Sequence, residues 1–260
     1  MSSIDLHSHW LPGVDDGAPS VDATVEMLRL AHQGGTRILV ATPHMFLPPF
    51  DNNDPRAIKQ AYVETVQQLR QRLENPGHAF LTELSLYLGS ENYLSPEFLD
   101  ALDNGRVLAL GNSFYLLVEF PAFLSVEMLN SAMERVLAAG FLPILAHVER
   151  YPPFCEQPKR LQHFLQLGCI TQLNGGSLLG NEGSAQRKAA FSFLRQGLVQ
   201  VIASDAHDTR RRAPLLAQVQ AVVGKDFPES EVRDWMFDNP RRILANEALP
   251  IDKLASTRWS

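Results

Sequence analysis

The chain carries imidazoles and carboxylates at spacings that suit a metal centre. His7-Ser8-His9 sets two imidazoles two residues apart, so an extended strand points both to the same side, where one ion can take both. Asp205-Ala206-His207 repeats that spacing with one carboxylate and one imidazole. His44, Glu91, Glu119 and His147 add nitrogen and oxygen donors with no thiolate among them, a set that suits Zn, Mn or Fe(II). A single ion takes about four to six ligands, so this many donors implies more than one metal. Taken singly they say little, since a lone H-x-H is weak evidence and a lone strand-end Glu is usually a solvated loop residue or a helix cap. What they share is position, and position is set by the elements that carry them.

Short apolar runs rich in β-branched residues alternate with longer stretches of helical period. The pattern predicts strands over residues 4–6, 37–42, 80–88, 115–120, 142–146, 170–173 and 199–203. Between them it predicts helices over 21–32, 55–73, 96–102, 126–139, 159–167 and 184–195, with 213–223 and 229–237 closing the main body. Repeated β-then-α units give a parallel sheet with right-handed crossovers. About seven such units without a linker-like gap favour a closed or nearly closed barrel over a doubly wound open sheet. The strands then lead into His7 and His9, His44, Glu91, Glu119, His147, and Asp205 with His207, all at the C-terminal face where barrel chemistry is done. His32, His78 and His163 fall in helices or loops and stand apart.

The chain of 260 residues is 45% hydrophobic and 20% charged, which excludes a disordered polymer. Its formal charge of −6 leaves no global basic field for nucleic-acid phosphates. The first residues lack the basic and apolar regions of a signal peptide. The most apolar long stretch, 136–148, is interrupted by Gly140 and Pro143 and is far shorter than the roughly 20 residues of a membrane span. Cys155 and Cys169 are too few for a disulfide framework. These features predict a cytoplasmic protein with one domain over 1–250 and a loose tail at 251–260.

The motifs also follow a known order. D-L-H-S-H at 5–9 and L-P-G-V-D-D-G at 11–17 resemble the opening of the polymerase-and-histidinol-phosphatase (PHP) superfamily. A-T-P-H at 41–44, G-S-E-N at 89–92, L-V-E-F at 117–120, A-H-V-E-R-Y at 146–151, A-S-D-A-H at 203–207 and D-N-P-R-R-I at 238–243 resemble the bacterial tyrosine phosphatases of capsular and exopolysaccharide operons. The resemblance implies an α/β fold, a distorted (β/α)7 TIM-like barrel, with three divalent ions, manganese first and iron or zinc as alternatives. It assigns His7, His9, Glu91 and Asp205 to one ion. Glu91, as a bridge, joins Glu119 and His147 on a second, and Asp16, His44 and His207 take the third. Asp16 enters through the resemblance alone, because by itself it reads as an acidic turn residue before Gly17. Arg150 and Arg212 match arginines that contact the substrate phosphate, Arg210 and Arg211 being rivals of the latter. The catalytic set is then Arg150, Arg212, Asp205 and His207. Three divalent ions would add +6 to the chain's −6.

The reaction this implies is phosphomonoester hydrolysis by a metal-bridging hydroxide, with no covalent phosphoenzyme. A phenol, with a pKa of about 10, leaves more easily than an alkoxide, so phosphotyrosine demands less acid assistance than phosphoserine. Cysteine-dependent phosphatases need a Cys, five residues, then Arg; Arg160 follows Cys155 one position early, and Cys169 has Gly175 at the required place. The implied partner is a phosphotyrosine protein, the tyrosine-rich tail of a bacterial autokinase, with no nucleic acid; a homo-oligomer is left open. Rival readings are a phosphatase for histidinol phosphate or a sugar phosphate, a nuclease-like phosphoesterase, and a non-enzymatic metal-binding partner of a polysaccharide kinase. The apolar loop Met45-Phe46-Leu47-Pro48-Pro49-Phe50 is either a rim that packs a tyrosine ring or filler beneath the loop.

Overall fold

Parallel strands close on themselves, and helices pack around the outside. The computed structural model describes residues 2–50 and 52–249; the tail expected at 251–260 lies outside them. In chain order the elements are β1 (Ser3–Ser8), α1 (Val21–Gln33), β2 (Thr36–Ala41), β3 (His44–Met45), α2 (Pro55–Arg72), a 3-10 helix (Pro76–Glu83), β4 (Ser85–Leu88), β5 (Glu91–Tyr93) and α3 (Pro96–Asp103). They continue with β6 (Tyr115–Glu119), α4 (Val126–Ala138), β7 (Leu142–Leu145), α5 (Pro152–Glu156), α6 (Lys159–Gln166), β8 (Ile170–Asn174) and α7 (Gly175–Leu179). The series ends with α8 (Ser184–Arg195), β9 (Val201–Ala203), α9 (Leu216–Val223), α10 (Glu229–Arg233), a π-helical turn (Asp234–Asp238) and α11 (Asn239–Leu244).

The strand orders β1-β2-β4 and β3-β5-β6-β7-β8-β9 are one curled sheet read in two pieces. β2 passes into β3 through Thr42-Pro43, and β4 into β5 through Gly89-Ser90, so each pair forms one interrupted stave. Ser8 bridges Ala206 in parallel, the His9 N–H donates to Ala206 O (2.7 Å), and the Asp205 N–H donates to His7 O (2.8 Å). The last stave thus meets the first, which gives the distorted (β/α)7 barrel.

Alternation along each strand sorts side chains into two cores. On β6, Tyr115 and Leu117 join one buried cluster with Ile4, Val40, Ile144, Ile170 and Val201, which fills the barrel. Leu116 and Val118 join the other, larger cluster between sheet and helices. The inward file that carries Leu117 carries Glu119 next, and the file of Ile170 carries Gln172 and Asn174. Apolar packing low in the barrel therefore passes, two residues on, into polar chemistry at its C-terminal mouth.

Local chemistry sets the helix starts. Ser20, Asp54, Ser95 and Ser125 each accept a backbone N–H from the first turn of α1, α2, α3 and α4. Several boundaries depart from the sequence pattern. The strand expected over 80–88 is confined to Ser85–Leu88, because residues 76–83 form a 3-10 helix opened by the Asn75 cap and Pro76. Strand β9 starts at Val201 rather than 199, and helix α9 starts at Leu216, just past Pro214, rather than at 213. The last helix runs beyond Phe237 to Leu244, because the π-helical turn accommodates Pro240, which has no N–H to give, in the first turn of α11. Among the described residues no helix is long and apolar enough to cross a membrane.

Candidate metal centre

The staves that carry donors deliver them by different local devices. A register shift in β1 between Asp5 and Ser8 accompanies His7, and the turn after β1 holds His9. Pairing of β3 with β5 sets His44 beside Glu91, and pairing of β5 with β6 sets Tyr93 beside Glu119. His147 and Asp205 leave β7 and β9 in left-handed backbone, at φ 33° and 52°, a conformation costly for non-glycine residues that aims both side chains back over the barrel. Gly17 packs against His9 so closely that an added Cβ would lie 2.0 Å from its carbonyl oxygen, which folds Asp15 and Asp16 onto the same mouth.

The structure brings the expected residues into overlapping groups. His7, His9, Glu91 and Asp205 are all buried, with one donor atom from each within reach of the others. His9, Asp16, His44 and His207 form a second group, and His44, Glu91 and Glu119 a third. His147 reaches Glu91 Oε1 at 2.8 Å and Glu119 Oε1 at 3.7 Å. Relative to the expected sets, His9 also borders the Asp16 group, and His44 also borders Glu91 and Glu119. His32, His78 and His163 lie outside these groups, on partners of their own.

Hydrogen bonds behind the cluster decide which imidazole nitrogen faces it. Gln172 Nε2 donates to Leu173 O (2.7 Å) and Asn174 Oδ1 (2.9 Å), so its Oε1 accepts from the His147 N–H (3.0 Å) and from His7 Nδ1 (3.3 Å). His9 Nδ1 donates to Asp15 Oδ2 (2.7 Å). Both Nε2 atoms therefore present lone pairs, 3.2 Å apart, to Glu91 Oε2 (3.2 and 3.4 Å) and Asp205 Oδ1 (3.3 and 3.5 Å). With both rings neutral, four acceptors face one another with no donor among them. Edges of this length are what ligands about 2.1 Å from a shared ion keep between themselves. Glu91 Oε2, Glu119 Oε2, Asp205 Oδ1, His44 Nδ1 and His207 Nε2 are all buried without a hydrogen-bond partner, so the residues fit bound cations.

Electrostatics divide the imidazoles into two sets. Burial, reinforced by the charges of Glu91 and Asp205, pushes the Glu119 carboxyl up to about 9. Burial holds His44 down at about 4, and burial lowers His147 and His207, leaving neutral imidazoles with lone pairs to give. Burial opposes ionisation of Glu91 and Asp205, yet His7 and other cationic neighbours hold both well below the usual carboxylate range. Burial also works to lower His7 and His9, but Glu91 and Asp205 raise the first and Asp15 the second, so these two rings hold protons that a bound cation would have to displace.

Two guanidiniums border the cluster. Arg212 Nη2 donates to Asp205 Oδ2 (2.7 Å), and Arg150 Nη1 lies 3.2 Å from the same oxygen, which also accepts from Asn174 Nδ2 (2.6 Å). Of the arginine run, Arg210 and Arg211 are exposed while Arg212 reaches the cluster. Arg150 stands between two cavities. One, of about 150 Å³, is shared with Glu182, Asp205 and Arg212; the other, of about 240 Å³, is walled by Tyr93, Glu119, Phe120, Pro121, His147 and Tyr151. In the apolar loop, Met45 and Phe46 are core filler, while Phe50 stacks flat on His44 (5.6 Å, 2°). Neither cysteine belongs to the cluster, and burial pushes the Cys169 thiol up to about 12.

Several residues with a part in this geometry escape sequence inspection. Asp15 was distinguishable only as the twin of Asp16 in D-D-G, and Gln172 and Asn174 are amides with no metal-ligand signature. A polar Q-L-N run ending an otherwise apolar strand was the available signal.

Fold and site together define a parallel barrel of the kind that carries a metal centre on the C-terminal ends of its strands. The model of the family described as capsular polysaccharide synthesis, CpsB/CapC, matches residues 3–245, and the chain belongs to that family. It is 28% identical over 251 residues to tyrosine-protein phosphatase CpsB of Streptococcus pneumoniae, covering 95% of this chain and 100% of the relative. It is 29% identical to tyrosine-protein phosphatase YwqE of Bacillus subtilis over 246 residues, covering 95% of this chain and 93% of that one. A crystal structure from the pair YwqE of Bacillus subtilis and CpsB of Streptococcus pneumoniae, described as metal-dependent tyrosine phosphatases, superposes with a TM-score of 0.84 at 27% identity, over 95% of this chain and 96% of that one. Dihydropyrimidinase of Brevibacillus agri (TM-score 0.56, 12% identity, 94% of this chain and 71% of that one) shares the fold alone.

Proposed function

We propose that this chain is a metal-dependent protein-tyrosine phosphatase. The observation that carries the reading is the nest of His7 and His9 Nε2, Glu91 Oε2 and Asp205 Oδ1, with the two rings held from behind by Gln172 and Asp15. Three divalent cations would be held, one by His7, His9, Glu91 and Asp205, one by Glu91, Glu119 and His147, and one by Asp16, His44 and His207, with manganese first and iron or zinc second. Cations in such a cluster activate water near neutral pH and neutralise charge on phosphoryl oxygens.

The remaining work falls to the chain. Arg150 and Arg212 present planar forks that match phosphate oxygens. Asp205 and His207 join the catalytic set by placing their free atoms, Oδ1 and Nε2, into the cluster while their other atoms are tied to the protein. The cavity beside Glu119 and His147 has aromatic walls and more than the roughly 150 Å³ that holds a benzene ring, which favours a phosphotyrosine side chain over histidinol phosphate or a sugar phosphate. The reading takes residues 1–250 as one phosphatase domain acting in the cytoplasm. Its partner is a phosphotyrosine protein, the tyrosine-rich tail of a bacterial autokinase in capsule or exopolysaccharide synthesis.

The test is a rate comparison. Chelator-stripped protein should be inactive and should regain hydrolysis of a phosphotyrosyl peptide with Mn²⁺. The restored enzyme should prefer that peptide to histidinol phosphate and to a nucleotide monoester. Full activity in excess chelator, or a clear preference for histidinol phosphate, overturns the reading.

A further inference from the structure

Glu182 belongs to none of the clustered donor groups, yet it is one of the acids nearest to them. It lies in the loop between α7 and α8, and its Oε2 accepts from Arg150 Nε at 2.6 Å. Its Oε1 lies 3.4 Å from Asn174 Nδ2. Helix α7 leaves room beside this carboxylate, since a Cβ on Gly176 would come within 3.1 Å of Oε1. Both partners are largely shielded from water, with side chains 33% and 22% exposed.

We propose that Glu182 is a positioning residue that grips the Nε edge of Arg150 and turns its terminal nitrogens toward the metal cluster and the substrate phosphate. The inference rests on the phosphate-binding role proposed for Arg150. A guanidinium offers five N–H groups in one plane, and several orientations bring some of them onto a carboxylate. Around Arg150 the competing acceptor is Asp205 Oδ2, 3.2 Å from Nη1. Occupying Nε from the opposite side fixes the plane, so that the Nη edge faces the mouth of the barrel. Removing Glu182 frees the guanidinium to settle onto Asp205, and the fork is no longer preorganised for the phosphate.

The experiment is a double-substitution cycle on the metal-loaded full chain, with p-nitrophenyl phosphate as substrate and inorganic phosphate as competing product. Glu182→Ala should lower kcat/KM about tenfold, chiefly through KM, and raise the phosphate inhibition constant by a similar factor. Glu182→Gln keeps an acceptor for Nε and should lose less. In an Arg150→Ala background Glu182→Ala should cost nothing further. Losses that multiply in the double variant overturn the proposal, as do an unchanged Glu182→Ala enzyme or a lowered KM, the mark of an acid that merely repels phosphate. If Arg150→Ala alone leaves phosphate affinity intact, the phosphate role of Arg150 fails first and the proposal falls with it.

Discussion

Asp15 and Asp16 are neighbours of one type with opposite duties. Asp16 Oδ1 faces His207 Nε2 (3.4 Å) and His44 Nε2 (3.6 Å), whereas Asp15 spends its carboxylate behind the cluster. Its Oδ2 takes His9 Nδ1 and the His44 N–H, and its Oδ1 takes the Gly17 N–H. Three donors on one carboxylate leave no room for an amide, because an NH2 group must then face an N–H. Asp15→Asn should therefore weaken Mn²⁺ binding or turnover roughly 10–100-fold while the chain stays folded. Calorimetric titration with Mn²⁺ checks this, and unchanged affinity refutes the orienting role. The distinction was not legible in D-D-G, since which of two adjacent side chains turns inward is a backbone outcome.

At the scale of elements, each donor sits where a strand stops being a strand. Pro43 and Gly89-Ser90 break the second and third staves, so His44 and Glu91 open short second segments instead of ending long first ones. Alternation of apolar residues located the staves, because period two is a strong local signal. It did not locate the breaks, nor the 3-10 helix at 76–83, whose apolar run has no period to read. β8 carries no metal-type residue, yet its Gln172 and Asn174 brace His7, His147 and Asp205 from the side. Gly17 is the tightest joint among these turns. Gly17→Ala places Cβ against His9 backbone that has nowhere to go, and should cost about 1–3 kcal/mol of stability together with Mn²⁺ affinity. Denaturant unfolding with and without Mn²⁺ measures both, and a variant as stable and as metal-competent as the parent sinks the packing account.

Across the whole molecule, one buried group outside the site gives a clean pH test. Burial lifts the Cys169 thiol from its ordinary 9 to about 12 in the fold. Between those values the unfolded chain has lost a proton that the native chain keeps, so stability falls as pH rises. The contribution is complete below about 9 and lost as pH passes about 12. Cys169→Ala should flatten the alkaline fall in thermal stability, and Cys155→Ser with Cys169→Ala should leave turnover at neutral pH unchanged. An unaltered alkaline profile contradicts the effect of burial on Cys169, and abolished turnover contradicts the placing of both thiols outside the site.

Sequence alone determined the order of strands and helices, the right-handed parallel sheet, and therefore which residues reach the C-terminal face. Those follow from short-range periodicity and from the chirality of β-α-β connections, both written along the chain. Tertiary structure alone decided which atoms of those residues point inward. The tautomers at His7 and His9, the contact of Arg212 with Asp205, and the grip of Glu182 on Arg150 all depend on how the folded chain brings separate segments together. The physical reason is that a lone pair is aimed by whatever holds the other side of its ring or carboxylate, and those partners come from other staves and loops.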